Sequence, residues 1–277
     1  MTVKITTLLE NSPGEHLALI HEHGLCFLIE TDDCRVLFDT GQSDSFLKNA
    51  ETLMLDPGTA DFVVLSHGHY DHSGGLRSLI EKTTDFTLFV GTGFFNEKYG
   101  YKDNAWEFLG NNFDRIYLEE HAIAYREVAP GRTDLAPGVS IITGFPRVHE
   151  DEVINKRFKI KNEAGEFVED PFDDEILLAV DSPKGLVVIL GCSHPGMKNM
   201  VDYAAELTGK EVYAILGGTH LVEASRECME KSLSYLQQDS LHVLGVSHCT
   251  GEEAMNILEK SNSRYYHNRT GSALIIE

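Results

Sequence analysis

Leu65-Ser66-His67-Gly68-His69-Tyr70-Asp71-His72-Ser73-Gly74-Gly75 places four side chains that can bind metal, His67, His69, Asp71 and His72, within six positions. The run before it, Asp61-Phe-Val-Val-Leu65, is short, apolar and β-branched, and reads as a buried strand. The run after it, Ser73 to Lys82, opens on a helix-capping Ser and sets Leu76, Leu79 and Ile80 on one face. The cluster therefore falls between a strand end and a helix start, where open α/β sheets place ligands. His67 and His69 point the same way from an extended chain, while Asp71 and His72 reach a second point as the chain turns. Neutral imidazoles with one carboxylate suit zinc, iron or manganese. Two such ions roughly 3.5–4 Å apart would make a hydrolytic pair. A loop of solvated histidines is the alternative, and spacing this tight disfavours it.

The chain has 277 residues, 42% hydrophobic and 24% charged, an ordinary globular composition. Its formal charge of -21 repels phosphate backbones and argues against nucleic-acid binding. Cys26, Cys34, Cys192, Cys228 and Cys249 are odd in number and form no Cys-x-x-Cys pair, which predicts free thiols in a reducing cytoplasm. No basic, apolar leader is expected at the start, and no apolar run approaches the ~20 residues of a membrane helix.

Strands are expected at Val3-Leu9, Leu25-Glu30, Arg35-Asp39, Phe62-Leu65 and Phe86-Val90, with a helix over Asp44-Leu55. The C-terminal part repeats a strand-loop-helix rhythm. Leu186-Leu190, Val212-Leu216 and His242-Val246 are its strands, and Met197-Leu207, Ala224-Gln237 and Glu252-Lys260 its helices, before a last strand at Ala273-Ile276. One domain over 1–277 is expected. Residues 92–175 read as an aromatic-rich insertion with weak periodicity, carrying Phe94, Phe95, Tyr99, Tyr101, Trp106, Phe108 and Phe113. Such a stretch suits a substrate lid or a dimer arm, so a homodimer is one expectation.

Each C-terminal strand ends in Gly followed shortly by His: His194 in Leu-Gly-Cys-Ser-His-Pro-Gly, His220 in Leu-Gly-Gly-Thr-His-Leu, and His248 in Gly-Val-Ser-His-Cys-Thr-Gly. Three such strands in one sheet put imidazoles along one rim. Any one of them alone is as well read as a capping or core His. Asp39, in Val-Leu-Phe-Asp-Thr-Gly, is a turn residue or an acceptor behind a ligand imidazole.

Together, Leu-Phe-Asp-Thr-Gly, His-Gly-His-Tyr-Asp-His-Ser-Gly-Gly and the late Ser-His resemble the metallo-β-lactamase superfamily over nearly the whole chain. Gly-Cys-Ser-His-Pro-Gly, Gly-Gly-Thr-His-Leu and His-Cys-Thr-Gly are similar to one branch of it. Members of that branch carry the names of metal-dependent hydrolases or of 7,8-dihydropterin-6-yl-methyl-4-(β-D-ribofuranosyl)aminobenzene 5′-phosphate synthases. The resemblance implies a four-layer αββα sandwich, two mixed β-sheets face to face with helices outside, and a metal pair at one edge. Two departures stand out. The mid-chain His motif is missing, with only Thr143-Gly-Phe-Pro-Arg147 and His149 nearby, and Cys192 stands where the family's bridging Asp is expected. Either Cys192 or His194 can be the ligand; the branch pattern favours His194, beside His248.

The reading that follows is a dinuclear metal-dependent hydrolase using a metal-bound hydroxide. His67, His69 and one later His hold one ion; Asp71, His72 and another later His hold the second, with zinc favoured and iron or manganese as alternatives. Asp71 and His220 are the catalytic candidates, and Lys98 and Arg147 the candidate anion contacts. The substrate is expected to be a small phosphorylated or pterin-like metabolite, with no nucleic-acid or membrane partner. An iron-dependent redox or oxygen-handling protein, and a phosphodiesterase or lactonase, are the rival readings.

Overall fold

Alternation along Ile176-Leu-Leu-Ala-Val180 decides the layering. Ile176, Leu178 and Val180 enter one core while Leu177 and Ala179 enter another, so this strand is covered on both faces. The computed structural model describes residues 2–162 and 164–277. Along the chain come β1 (Val3–Leu9), β2 (Cys26–Glu30), β3 (Arg35–Phe38), α1 (Ser45–Thr52), β4 (Phe62–Val64), α2 (Tyr70–Ser73), α3 (Leu76–Ile80) and β5 (Thr87–Gly91). Then follow β6 (Lys98–Lys102), β7 (Ala105–Phe108), α4 (Arg115–Glu120), β8 (Ala124–Val128), β9 (Gly131–Ala136), β10 (Val139–Thr143), β11 (Phe158–Lys161) and β12 (Phe167–Glu169). The remainder holds β13 (Ile176–Ser182), β14 (Gly185–Leu190), α5 (Met197–Thr208), β15 (Val212–Gly218), α6 (Arg226–Tyr235), β16 (Val243–Ser247), α7 (Glu252–Ser261) and β17 (Ala273–Ile276).

Two mixed sheets result, in the orders β17-β1-β2-β3-β4-β5-β8 and β16-β15-β14-β13-β10-β9. Phe27, Val36, Phe38 and Val64 of the first meet Ile141, Leu178, Val187 and Ile189 of the second in a shared core. Leu28, Leu37, Val63 and Leu88 face the opposite way, onto Phe46 of α1 and Leu76 and Leu79 of α3. Val188, Leu190, Ile215 and Leu244 likewise pack beneath α5, α6 and α7. Helix, sheet, sheet and helix are thus four layers, the αββα sandwich expected. Among the described residues no helix is long and apolar enough to cross a membrane.

The stretch 92–175 is not one irregular insertion. Strand β8 pairs with β5 in the first sheet, while β9 and β10 complete the second. Strands β6, β7, β11 and β12 form a separate antiparallel sheet in the order β12-β11-β6-β7. Its strands hide from periodicity because β7 and β12 are exposed at every position. The aromatics divide accordingly. Phe94 and Phe113 belong to the core under the first sheet, whereas Trp106 stacks on Phe167 at 3.9 Å on the small sheet.

Lys98 corrects an expectation. It is 1% exposed, and its Nζ donates to Asp170 Oδ2 at 2.7 Å and Asp174 Oδ1 at 2.9 Å. It touches neither of the cavities described below, so it is a structural cation rather than an anion contact. Asp174 Oδ2 also accepts the Gly68 N–H at 2.8 Å, which ties the small sheet to the His67–His72 loop. Lys98→Ala would leave two buried carboxylates facing each other. The expected loss is about 3–5 kcal/mol of unfolding free energy by denaturant titration, and a loss below about 1 kcal/mol would contradict the pairing.

Candidate metal centre

Strand register builds the rim. Leu190 lies opposite Gly217, and Gly218 opposite Ser247, so the chain leaves β14, β15 and β16 at one level. Cys192, His194, His220 and His248 follow from those ends. In the first sheet, Phe38 lies opposite Val64, bringing Asp39 beside Ser66 and the His67–His72 loop. The two rims meet. Gly191 and Gly218 are required there: a Cβ at 191 would sit 2.1 Å from Ser66 Oγ, and one at 218 would sit 2.5 Å from Cys249 Sγ. Helix α2 begins inside the motif, with His69 in the capping position, so Ser73 ends that turn instead of starting a helix.

The donor atoms converge around one sulfur. His67, Cys192 and His194 have ligand atoms mutually within 4.8 Å, and so do His72, Cys192 and His248. His67 Nε2 and His69 Nδ1 are 3.1 Å apart, as are His72 Nε2 and His248 Nε2. Asp71 Oδ2 lies 3.3 Å from His248 Nε2 and 3.6 Å from His72 Nε2. Cys192 Sγ stands 3.2 Å from His72 Nε2 and 3.5 Å from His248 Nε2. The structure therefore brings both Cys192 and His194 to the cluster, with Cys192 between its two halves.

These residues fit bound metal. Neutral imidazoles do not turn lone pairs on each other at 3.1 Å without a shared proton or cation between them. His194 Nε2 is buried with no hydrogen-bond partner. Burial pushes His67, His69 and His194 well below the usual imidazole range, leaving them neutral as ligands must be. Burial opposes ionisation of Asp71, but His72, His23 and His248 outweigh it and hold the carboxyl well below its usual range.

Each ligand loop is gripped from behind, the arrangement metal sites require. His72 Nδ1 donates to Asp39 Oδ2 at 2.7 Å, and Asp39 also accepts the Ser66 N–H and hydroxyl at 2.7 and 2.9 Å. His248 Nδ1 donates to Asn11 Oδ1 at 2.9 Å, and the His248 N–H to Glu10 Oε1 at 2.6 Å. Buried Glu175 accepts the N–H groups of Cys192 at 3.2 Å, Ser193 at 2.9 Å and His194 at 3.4 Å. Burial lowers the affinity of His72 for a proton, yet Asp39 and Asp71 overcome this and raise its pKa to about 9.

Above the cluster opens a cavity of about 330 Å³. Arg157, Phe158 and Leu109 line it together with His23, His220 and Cys249. The segment 92–113 thus gives the wall Glu107 and Leu109, not its aromatics. His220 has a buried Nδ1 without a partner and its Nε2 3.4 Å from Glu223 Oε2. Burial lowers the pKa of His220, but Cys249 and Glu223 raise it to about 9. Arg147 lies outside: its Nη2 donates to the Pro171 carbonyl at 2.7 Å, and it lines neither cavity, which corrects its expected role. His149 is paired with Asp202 at 2.7 Å on the surface. His23, Glu10, Asn11, Glu175, Arg157 and Phe158 belong to no spaced motif and carry no sequence signal, while Cys249 sits inside the quoted His-Cys-Thr-Gly run without being read as a site residue.

The model of the metallo-β-lactamase superfamily matches residues 20–138. A Methanocaldococcus jannaschii protein named 7,8-dihydropterin-6-methyl-4-(β-D-ribofuranosyl)-aminobenzene-5′-phosphate synthase is 31% identical over 269 residues, covering 92% of this chain and 90% of that one. The crystal structure of Tm1679, described as a metal-dependent hydrolase of the β-lactamase superfamily, superposes with a TM-score of 0.84 at 28% identity, covering 98% of both chains. A diphosphatase of the PhnP family shares the fold at a TM-score of 0.57 and 14% identity, over 100% of this chain and 98% of its own. The chain belongs to the metallo-β-lactamase superfamily.

Two outcomes are expected. Zinc binding at pH 7 releases about one proton from His72, because its ion-free pKa of about 9 means the proton is present and must leave. Affinity therefore climbs with pH toward about 9, and burial, which pushes the Cys192 thiol well above its usual range, extends the climb if that sulfur ligates as a thiolate. Calorimetry in buffers of different ionisation enthalpy measures this, and zero proton release would contradict it. Glu175→Ala, which strands three N–H donors, weakens zinc binding by roughly 10–100-fold in chelator competition.

Proposed function

We propose that the protein is a zinc-dependent enzyme that cleaves a bond to a phosphate-type group on a small metabolite. The observation that carries this is the convergence of His67, His194, His72 and His248 around Cys192, with His69 beside His67 and Asp71 beside His72 and His248, beneath a cavity. His67, His69 and His194 would hold one ion, and Asp71, His72 and His248 the other, with Cys192 within reach of both sets. A thiolate at that position favours zinc over manganese. Divalent ions held there would supply Lewis acidity and a nucleophile at neutral pH.

The chain's own residues have distinct tasks. Arg157 is the one Lys or Arg lining this cavity among the described residues, and it suits the anionic group of the substrate. Its Nε is held by Glu223 at 2.8 Å and its guanidinium rests on Phe158, 4.1 Å from the ring centroid. Phe158 also covers His69 and His194, with ring centroids at 5.4 and 4.9 Å, and keeps bulk water off the imidazoles. His220 stands beside His194 with centroids 4.2 Å apart and delivers a proton to the departing oxygen. The acidic surface, with a net charge of -21, argues for a small substrate over a polynucleotide. Transfer to a second substrate in place of water is the alternative outcome of the same cleavage, favoured by the synthase name of the 31% identical relative.

The zinc-loaded protein is expected to turn over a panel of phosphate esters and diphosphates. His67→Ala should lose bound metal and at least about 100-fold in kcat/KM. His220→Ala should lower kcat by about 100-fold with little change in KM, and Arg157→Ala should chiefly raise KM. No turnover by fully metallated protein on the whole panel would refute the reading.

A further inference from the structure

Two imidazoles stand side by side over Asp71, with ring centroids 5.0 Å apart. His23 Nε2 lies 3.1 Å from Asp71 Oδ2, and His248 Nε2 lies 3.3 Å from the same oxygen. Distance alone would make both of them ligands, since their donor atoms form one group with Asp71. Burial already separates them: His248 is sealed in the rim, whereas His23 is half-exposed. The metal cavity adjoins a second one of about 360 Å³ at His194, His220 and Glu223, and His23 and Asn11 line only the first.

The Asn11 side chain touches both rings and treats them oppositely. Its Oδ1 accepts the Gly24 N–H at 3.1 Å, and a backbone N–H can only donate, which fixes the orientation of the amide. The atom 2.9 Å from His248 Nδ1 is therefore an acceptor, so that Nδ1 carries the proton and the His248 Nε2 lone pair faces the cluster. The other end of the amide, Nδ2, stands 3.4 Å from His23 Nδ1 and can only donate. His23 Nδ1 is then the acceptor, and in the neutral ring the proton sits on Nε2, pointed at Asp71 Oδ2. Gly24 is itself confined: a Cβ there would lie 2.6 Å from the Asp71 carbonyl oxygen. His21 Nδ1, 3.0 Å from the Asn11 carbonyl, holds the same residue from outside.

We propose that Asn11 sets opposite tautomers on these two rings, making His248 a metal ligand and His23 a fixed hydrogen-bond donor to Asp71. His23 is thus a positioning residue and not a further ligand. Its Nε2–H takes one lone pair of Asp71 Oδ2 and leaves another for an ion. The assignment depends on the metal centre alone and holds whatever substrate the cavity takes.

The test reads imidazole tautomers by long-range proton–nitrogen NMR of the full-length, histidine-labelled protein, before and after addition of zinc. Mildly alkaline pH keeps a free imidazole neutral, and signals are assigned from their loss in His23→Gln and His248→Gln. His23 is expected to carry its proton on Nε2 in both samples, and His248 to carry its own on Nδ1 with Nε2 shifted by zinc. In Asn11→Asp, whose side chain only accepts, His23 Nδ1 is expected to gain a proton. His23→Gln, which keeps an N–H donor, should hold the parent zinc stoichiometry with Kd within about threefold, while His23→Ala weakens zinc binding about tenfold. A proton on His23 Nδ1 in the parent protein, a zinc shift at His23 Nε2 as large as that at His248, or loss of an ion in His23→Gln would each overturn the assignment. The parent spectrum decides if Asn11→Asp folds poorly. Absence of phosphate-ester turnover would strike the proposed function and leave the tautomers as assigned.

Discussion

The Asp39 carboxylate holds the two sheet rims in register with the metal cluster. It is fully buried at the end of β3, and it accepts from Ser66 twice and from His72 once. Those bonds fix the chain leaving β4 and the ring plane of His72 together. Through Ser66 Oγ, 2.9 Å from His67 Nδ1, the same carboxylate also orients the first ligand of the motif. A charge this deep survives only with such partners. Loss of any one of them would shift several donor atoms together.

Glu175 and Glu10 repeat the device on the other sheet. Glu175 gathers the three N–H groups of the 192–194 turn, and Glu10 takes the N–H of His248. Burial raises the pKa of Glu175 to about 8, so this carboxyl sits near the edge of ionisation under ordinary conditions. Three buried acids stand behind a set of imidazoles whose donor atoms point at shared centres. Positive charge placed among those ligands offsets the cost of burying the acids, which couples ion uptake to the rigidity of the rim.

Much of this was legible in the sequence. The Leu65–Gly75 run and the three Gly-then-His strand ends name residues that the fold brings to one place, because register and strand period carry them there. The strand limits at Val3–Leu9 and Ala273–Ile276 were read to the residue. What stayed hidden has physical causes. Strand β13 begins just past the weakly periodic stretch, and its continuous apolar run, buried on both faces, shows no alternation of polar and apolar residues. The small sheet pairs Tyr99 with Lys159 across a long gap in sequence, and nothing local signals that. Lys98 looked like a free cation because its partners, Asp170 and Asp174, lie more than seventy residues away.

Four residues at the rim turns carry left-handed backbone without being glycine: Asp39 at φ 59°, Ser193 at 61°, His220 at 50° and His248 at 55°. Each such residue costs roughly 1–2 kcal/mol relative to a right-handed conformation. Glycine would remove that cost, and at 220 and 248 it would also remove the imidazole. The molecule thus holds a standing conflict between a relaxed backbone and a working site. A lineage no longer selected for the chemistry would drift toward glycine at these two turns and gain stability in doing so. Histidine at both turns means that the backbone bears this cost for the sake of an imidazole at the rim.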